Sequence, residues 1–340
     1  MKKSVTLKFY IFLFCFILCV HAFAQQHTTE FLFAETVPDN ILRIMETNAN
    51  AVFAEIHRAF YDKNNSGLKF SLSNFENNEA IKRIQNLWAV SQFYCTETTI
   101  MTRVLKSSNT FQVRNIPVFL VNAEQEKDQS MVIEFTSKGK IRNIYKALPE
   151  HQYKKIMGYS TEVKEVSKRL IVIDFCENFS NAYTRKDWKF IEDVFSDDAL
   201  IITGKVLRRA PQKGDFPTIL NAQQIEYNTY NKQEYIANLR DKVFANNRDV
   251  KVKFDEIEVR QHERNPDIYG VTLKQYWNAS NYQDEGWLFL MIDFKDKDNP
   301  LIWVRTWQPF EDPVTKKKIQ YNTEDIFGLE HFPLIFESSK

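Results

Sequence analysis

Asp284-Glu-Gly-Trp-Leu-Phe-Leu-Met-Ile-Asp-Phe294 is followed shortly by Ile302-Trp-Val-Arg-Thr-Trp-Gln-Pro309. Successive side chains of a strand point to opposite faces, so each stretch divides into two sets by parity. Leu288, Leu290, Ile292 and Phe294 form one aliphatic set, and Ile302, Val304 and Thr306 form another, both suited to a core. The opposite parities hold Trp287, Phe289, Met291 and Asp293, then Trp303, Arg305 and Trp307, while Gln275 and Trp277 share a parity one strand earlier. The pattern predicts long antiparallel strands with one core face and one special face carrying Gln275, Trp277, Trp287, Phe289, Asp293, Trp303, Arg305 and Trp307. Such a face reads as a ligand site, with indoles stacking and Asp293 and Arg305 orienting a polar end. It reads equally as an interface between domains or copies, or as core holding a satisfied Asp293 and Arg305 pair. On any of these readings Arg305 is expected to be partly buried and paired with an acid, Asp293 first.

Working outward, the strands close a longer unit. A helix with Leu170, Ile173, Phe175, Phe179 and Tyr183 leads to a second helical piece from Trp188 to Phe195 and a strand at Ala199–Ile202. A long aperiodic loop follows from Gly204 to Lys232, then a helix from Glu234 to Phe244 and strands at 250–261, 268–278, 287–294 and 301–308. The first half shows a similar order. Ile41 to Tyr61 places Ile41, Ile44, Met45, Val52, Ile56 and Phe60 at helical spacing, and Leu68 to Leu72 alternates as a strand. Glu79 to Val90 is helical again, and strands follow at 95–105, 111–121 and 131–145. The expected organisation is a leader at 1–24, a polar lead at 25–40, an N-terminal unit at 41–148, a linker at 149–164, a C-terminal unit at 165–312 and a tail at 313–340.

The stretch Asn181-Ala-Tyr-Thr-Arg-Lys-Asp-Trp188 through Phe195-Ser-Asp-Asp-Ala-Leu-Ile-Ile-Thr-Gly204, with the closing strands at 284–294 and 302–309, resembles the nuclear transport factor 2-like superfamily. The likeness is to its SnoaL-like and ketosteroid-isomerase-like members, in a secreted bacterial form. It covers 165–312, and 41–148 only by element order. It implies an α+β fold of two tandem cone-like repeats, each with helices packed on a curved antiparallel sheet and a pocket between. Enzymes of that superfamily keep an acid or a His/Asp pair deep in the cone. The C-terminal unit offers Asp174, Asp197, Asp198 and His262 for such a role, against plainer readings as helix surface, turn and strand-end residues.

Composition bounds the rest. The 340 residues are 44% hydrophobic and 26% charged, with 28 Phe, 14 Tyr and 6 Trp that need a core or a binding surface. Lys+Arg 45 against Asp+Glu 44 leaves no basic field for nucleic acid. Lys2, Lys3 and Lys8, the apolar run Phe9 to Val20 and Ala22-Phe23-Ala24 read as a cleavable secretory signal. Export to the periplasm or the medium is therefore expected, with no membrane association after cleavage. Cys15 and Cys19 leave with that leader; Cys95 and Cys176 sit in apolar runs that suit buried thiols better than a disulfide. The histidines His27, His57, His151, His262 and His331 lie far apart, and no GxSxG, P-loop, GxGxxG or HExxH occurs, so no metal or cofactor is implied. Lys205, Arg208, Arg209 and Lys213 form a basic loop, read as a solvated face before an anion contact. The expected function is an exported, non-catalytic binding or interaction module with a small-molecule pocket in the C-terminal unit. The alternative is an isomerase, dehydratase or cyclase using a buried carboxylate there. The expected partner is a small molecule, a protein, or a second copy docked through a sheet face.

Overall fold

The computed structural model describes residues 28–34, 37–62, 67–107, 109–121, 128–158, 163–207, 224–312, 317–319, 321 and 325–332. The leader and the basic residues Arg208, Arg209 and Lys213 lie outside them. The fold is α+β with two mixed sheets.

The first half opens with strand β1 (Glu30–Ala34), inside the stretch expected as a polar lead. Its Phe31 and Phe33 are buried while Glu30, Leu32 and Ala34 are exposed, a period of two that the short segment does carry. Helix α1 (Asp39–Tyr61) buries Met45, Ala49, Val52, Phe53 and Ile56 along one stripe. Where a strand was expected at 68–72, Ser71 instead accepts from the Ser73 amide and turns the chain into a short 3-10 segment at Leu72–Asn74. A serine that bonds its own backbone offers that backbone an alternative to a ladder. Helix α2 (Asn78–Val90) is capped by the Asn77 side chain accepting from the Ala80 amide. Strands β2 (Phe93–Cys95), β3 (Thr99–Ser107), β4 (Thr110–Leu120), β5 (Asp128–Thr136) and β6 (Ile141–Lys146) complete the sheet. Its order is β1-β3-β4-β5-β6, with β2 also on β4.

The expected linker contains helix α3 (Glu150–Met157). Helices α4 (Val166–Arg185) and α5 (Trp188–Asp193) lead into β7 (Phe195–Leu207). Part of the expected loop is strand β8 (Gln224–Tyr230), antiparallel to β7. Helix α6 (Lys232–Asn238) starts in a capping box between Asn231 and Glu234 and continues as a π turn, Leu239–Phe244. Strands β9 (Val250–Gln261), β10 (Ile268–Ala279), β11 (Tyr282–Asp293) and β12 (Leu301–Pro309) follow, giving the order β8-β7-β12-β11-β10-β9.

Both halves therefore pack helices on one sheet built around a four-stranded antiparallel meander, β3 to β6 and β9 to β12. They differ in where the parallel strand joins. In the first sheet β1 lies parallel to β3, the first strand of its meander; in the second, β7 lies parallel to β12, the last. The shared element order does not extend to a shared strand order.

Each sheet covers its own apolar core, one around Phe53, Phe93 and Phe135 and one around Phe179, Phe195 and Phe254. The other face of the first sheet packs on α4. Asn115, at φ 61°, forms a bulge in β4 that helps present Arg114 to that seam. The outer face of the second sheet is covered in part by the chain's own end: Phe332 stacks on Phe289 at 5.8 Å, and Gln308 donates to the Asp325 carbonyl and accepts from the Phe327 amide.

Candidate functional site

Register decides which side chains share a face, because residues directly opposite in an antiparallel ladder project to the same side. Leu290 stands opposite Arg305 and Leu288 opposite Trp307. Across the next ladder Leu273 stands opposite Leu288, Gln275 opposite Gly286 and Trp277 opposite Asp284. Leu273, Leu288 and Leu290 belong to the main core, so Gln275, Trp277, Arg305 and Trp307 lie on the inner face, beneath the helices, together with Asp284. Phe289 and Trp303 join a separate outer cluster with Met291, Val304 and Phe332, and Trp287 packs against Phe310.

The expected single surface is thus two surfaces. A register shift between Met291 and Ile292 lets β12 pass Trp303 to the outside while Ile302 and Arg305 face in. Asp293 sits at the end of β11, accepting from the Lys295 amide, so it is not the acid beside Arg305.

The inner residues form one group. Tyr183 of α4 and Tyr235 of α6 share a hydrogen bond of 2.7 Å between hydroxyls, and the Trp277 indole meets Tyr183 edge-on at 5.5 Å. Arg305 is 5% exposed, with its guanidinium carbon 5.1 Å from the Tyr235 ring centre. Gly286 allows the Trp307 indole to lie over β11, since an added Cβ would stand 2.8 Å from the indole and 2.3 Å from the Gln308 carbonyl oxygen. Tyr282 donates to one oxygen of Asp284 at 2.5 Å. Burial pushes the Asp284 carboxyl up to about 6, against the opposing pull of that hydrogen bond and of the Arg305 charge.

What marks the group is unmet hydrogen-bonding capacity. Arg305 Nε and Nη1, Trp307 Nε1, Gln275 Oε1 and Asp284 Oδ1 are all buried without a hydrogen-bond partner among the described residues. Each unmade bond of this kind costs about 1–3 kcal/mol. Donors from β12 and acceptors from β10 and β11 face the same interior, so a guest carrying both acceptor and donor groups would satisfy both sets.

The other candidates stand elsewhere. Asp174 faces the first sheet, where Arg114 bonds it at 3.0 Å and Gln112 at 2.9 Å. Burial and the neighbouring Glu177 raise its carboxyl to about 7. Glu177, fully buried, takes a 2.5 Å bond from Arg114 and a 2.8 Å bond from the Leu148 amide. This network joins the two halves, with Asp174 at the edge of a cleft between them, so Asp174 is a seam residue and not the floor of the second cone. Asp197 is exposed and paired with Lys232 at 2.8 Å. Asp198 is exposed beside Ser196, whose hydroxyl accepts from its amide, and His262 accepts from the Arg264 and Asn265 amides in a turn. Cys95 and Cys176 are buried free thiols. The sequence pattern did not single out Asp284, Tyr183, Tyr235, Arg114 or Glu177; Asp284 does share the parity of Leu288 and Leu290, a signal that the strand alternation contains.

Among the described residues no helix is long and apolar enough to cross a membrane, and no group of three or more His, Cys, Asp or Glu is placed to hold a metal. No family model and no curated protein matches the chain. Similar solved structures include Bd1075 of Bdellovibrio bacteriovorus, at 14% identity over 52% of this chain and 58% of that one, TM-score 0.33; this chain thus spans a little over half of that relative. An NTF2-like protein from Cytophaga hutchinsonii matches at 13% identity over 42% and 98%, TM-score 0.30. ActVI-ORFA from Streptomyces coelicolor matches at 11% over 41% and 95%, TM-score 0.29.

Proposed function

We propose that the chain is an exported binding module whose C-terminal unit, residues 165–312, holds a small organic acid on the inner face of its sheet. One observation carries the reading: Arg305, Trp307, Gln275 and Asp284 leave buried donors and acceptors unmet on that face. A carboxylate suits the donors, because a guanidinium presents a planar fork of N–H groups and the indole adds another. A hydroxyl or amino group on the same guest suits Gln275 Oε1 and Asp284 Oδ1. Trp277, Tyr183 and Tyr235 supply rings to flank its body. Export rests on the leader read at 1–24.

A catalytic reading has one observation in its favour, the Asp284 carboxyl at about 6, since an acid or base works best with a pKa near the operating pH. In that reading Asp284 exchanges a proton with the guest that Arg305 holds.

Thermal melts against a panel of hydroxy, amino and aromatic carboxylic acids test the proposal. At least one acid should raise the melting temperature of the chain, and the shift should vanish in R305M and in Q275L. A panel with no active member, or a shift that survives R305M, overturns it. If D284N still binds an acid that the unaltered chain converts and D284N does not, the module is an enzyme.

A further inference from the structure

A cavity of about 230 Å³ opens where the two halves meet, and its lining differs in kind from the inner face of the second sheet. Lys146 from β6 enters it from the first half, and Lys251 and Lys253 from β9 enter it from the second. No carboxylate is among the described lining residues; the other polar groups include Asn181, Thr184 and Tyr276. The neighbouring cleft of about 310 Å³ mixes Arg83, Arg142 and Lys297 with Glu134, Asp174 and Asp193. Only the first of these two clefts gathers charge of one sign.

Lys146 Nζ donates to the Ser91 hydroxyl at 3.1 Å, a neutral partner. Lys253 has Asp255 at 3.7 Å, a loose ion pair shared with His151. Burial, then the positive charge of Lys251, pulls the Lys146 ammonium down to about 8. Two ammonium groups that disfavour each other across a seam are relieved by an anion between them, and an anion held there touches both halves at once.

We propose that this seam is a phosphate-binding site, filled by free phosphate or by a small phosphate ester, and that its occupation ties the two halves together. Lysine ammoniums act as compact point charges with three donors each, suited to a multiply charged oxyanion, whereas a planar carboxylate is better matched by an arginine fork. The cavity volume has room for a phosphate group on a short organic body and little more.

Titration calorimetry of the full chain in low-chloride buffer tests this, with inorganic phosphate in one arm and glycerol 3-phosphate in the other. Saturable heat is expected in at least one arm below about 10 mM, and the stronger arm tells free phosphate from ester. Lys251→Gln should weaken binding about tenfold, as should Lys146→Gln, while Lys82→Gln on the exposed face of α2 changes nothing. Lys251 is exposed, so its variant carries the test if the Lys146 variant does not fold. R305M should bind phosphate as the unaltered chain does, which separates this site from the inner-face site of the second sheet. Absence of heat in both arms overturns the proposal, and so does binding unchanged in K251Q.

Discussion

The Arg305 guanidinium carbon lies 5.1 Å from the centre of the Tyr235 ring, which is itself bonded through its hydroxyl to Tyr183. A cation over a ring recovers about 0.5–2 kcal/mol, well short of the several kcal/mol lost on removing a charge from water. Arg305 has no carboxylate ion pair among the described residues; its charge favours the ionised form of the buried Asp284 carboxyl, and without it that carboxyl keeps its proton. R305M is therefore expected to leave unfolding free energy within about 1 kcal/mol of the unaltered chain, or to raise it, while abolishing acid binding. Urea unfolding with and without the best acid of the panel measures both. A loss of about 3–5 kcal/mol would instead mark Arg305 as a structural ion-pair partner.

Much of this was legible in the residues, and the exceptions have physical causes. The helical stripe of α1 and the alternation of β9 to β12 are local properties, and they predict those elements closely. That Arg305 and Trp307 share a face follows from the same alternation. Which neighbours join them does not, because that rests on cross-strand register, Leu290 opposite Arg305 and Leu288 opposite Trp307, and the slip after Met291 that sends Trp303 to the other face has no local signal either. The β4 bulge at Asn115 hides Arg114 in the same way, and its partner Glu177 lies 63 residues further on.

Gly286 is the seat of the Trp307 indole. G286A places a methyl 2.3 Å from the Gln308 carbonyl and 2.8 Å from the ring, and the carbonyl belongs to the ladder partner strand, so it cannot swing aside. Overpacking of this kind costs about 1–3 kcal/mol. The variant should melt lower and show an altered Trp fluorescence spectrum, because the indole has to leave the strand. A double variant with Trp307→Ala should recover only part of the stability, since the carbonyl contact remains.

Arg114 is the only cation bonded to both Asp174 and Glu177 among the described residues. R114M leaves those two acids at the seam without it, and removal of one member of a buried ionic group costs about 3–5 kcal/mol. Replacing all three together by apolar residues of similar volume should restore most of the loss. Urea unfolding of the single and triple variants checks this. R114M is also expected to separate the unfolding of the two halves into two transitions, because the network is part of what couples them.

The same seam gives stability a pH dependence of definite sign. Asp174 titrates at about 7 in the folded chain and near 4 when unfolded, so between those values the folded chain holds the proton more tightly. Its contribution is fully present below about pH 4 and is lost as pH rises toward 7, at up to about 1.4 kcal/mol per pH unit. Asp284 has the same sign over a lower window that ends near 6. Chemical denaturation at several pH values from 4 to 8 should show the slope, and D174N should flatten the portion between 6 and 7 while D284N leaves that portion nearly unchanged. A slope unaltered by D174N would remove Asp174 as its source.

Phe332 stacks face to face on Phe289, 5.8 Å between centroids and 7° between planes, and Leu329 sits so close to Gly270 that an added Cβ would meet it at 2.6 Å. Gln308, 1% exposed, fastens this segment by donating to the Tyr227 hydroxyl and the Asp325 carbonyl and accepting from the Phe327 amide. The outer face, which the residue pattern alone offers as a docking surface for a second copy, is thus partly occupied by the chain itself. F332A uncovers Phe289, Met291 and Val304, an apolar patch of the kind that drives association. It is expected to lower stability by about 3–5 kcal/mol and to produce concentration-dependent dimers or larger species in sedimentation velocity. If the F332A chain sediments as the unaltered chain does at every concentration, the outer face has no tendency to self-associate and the segment serves only to complete the core.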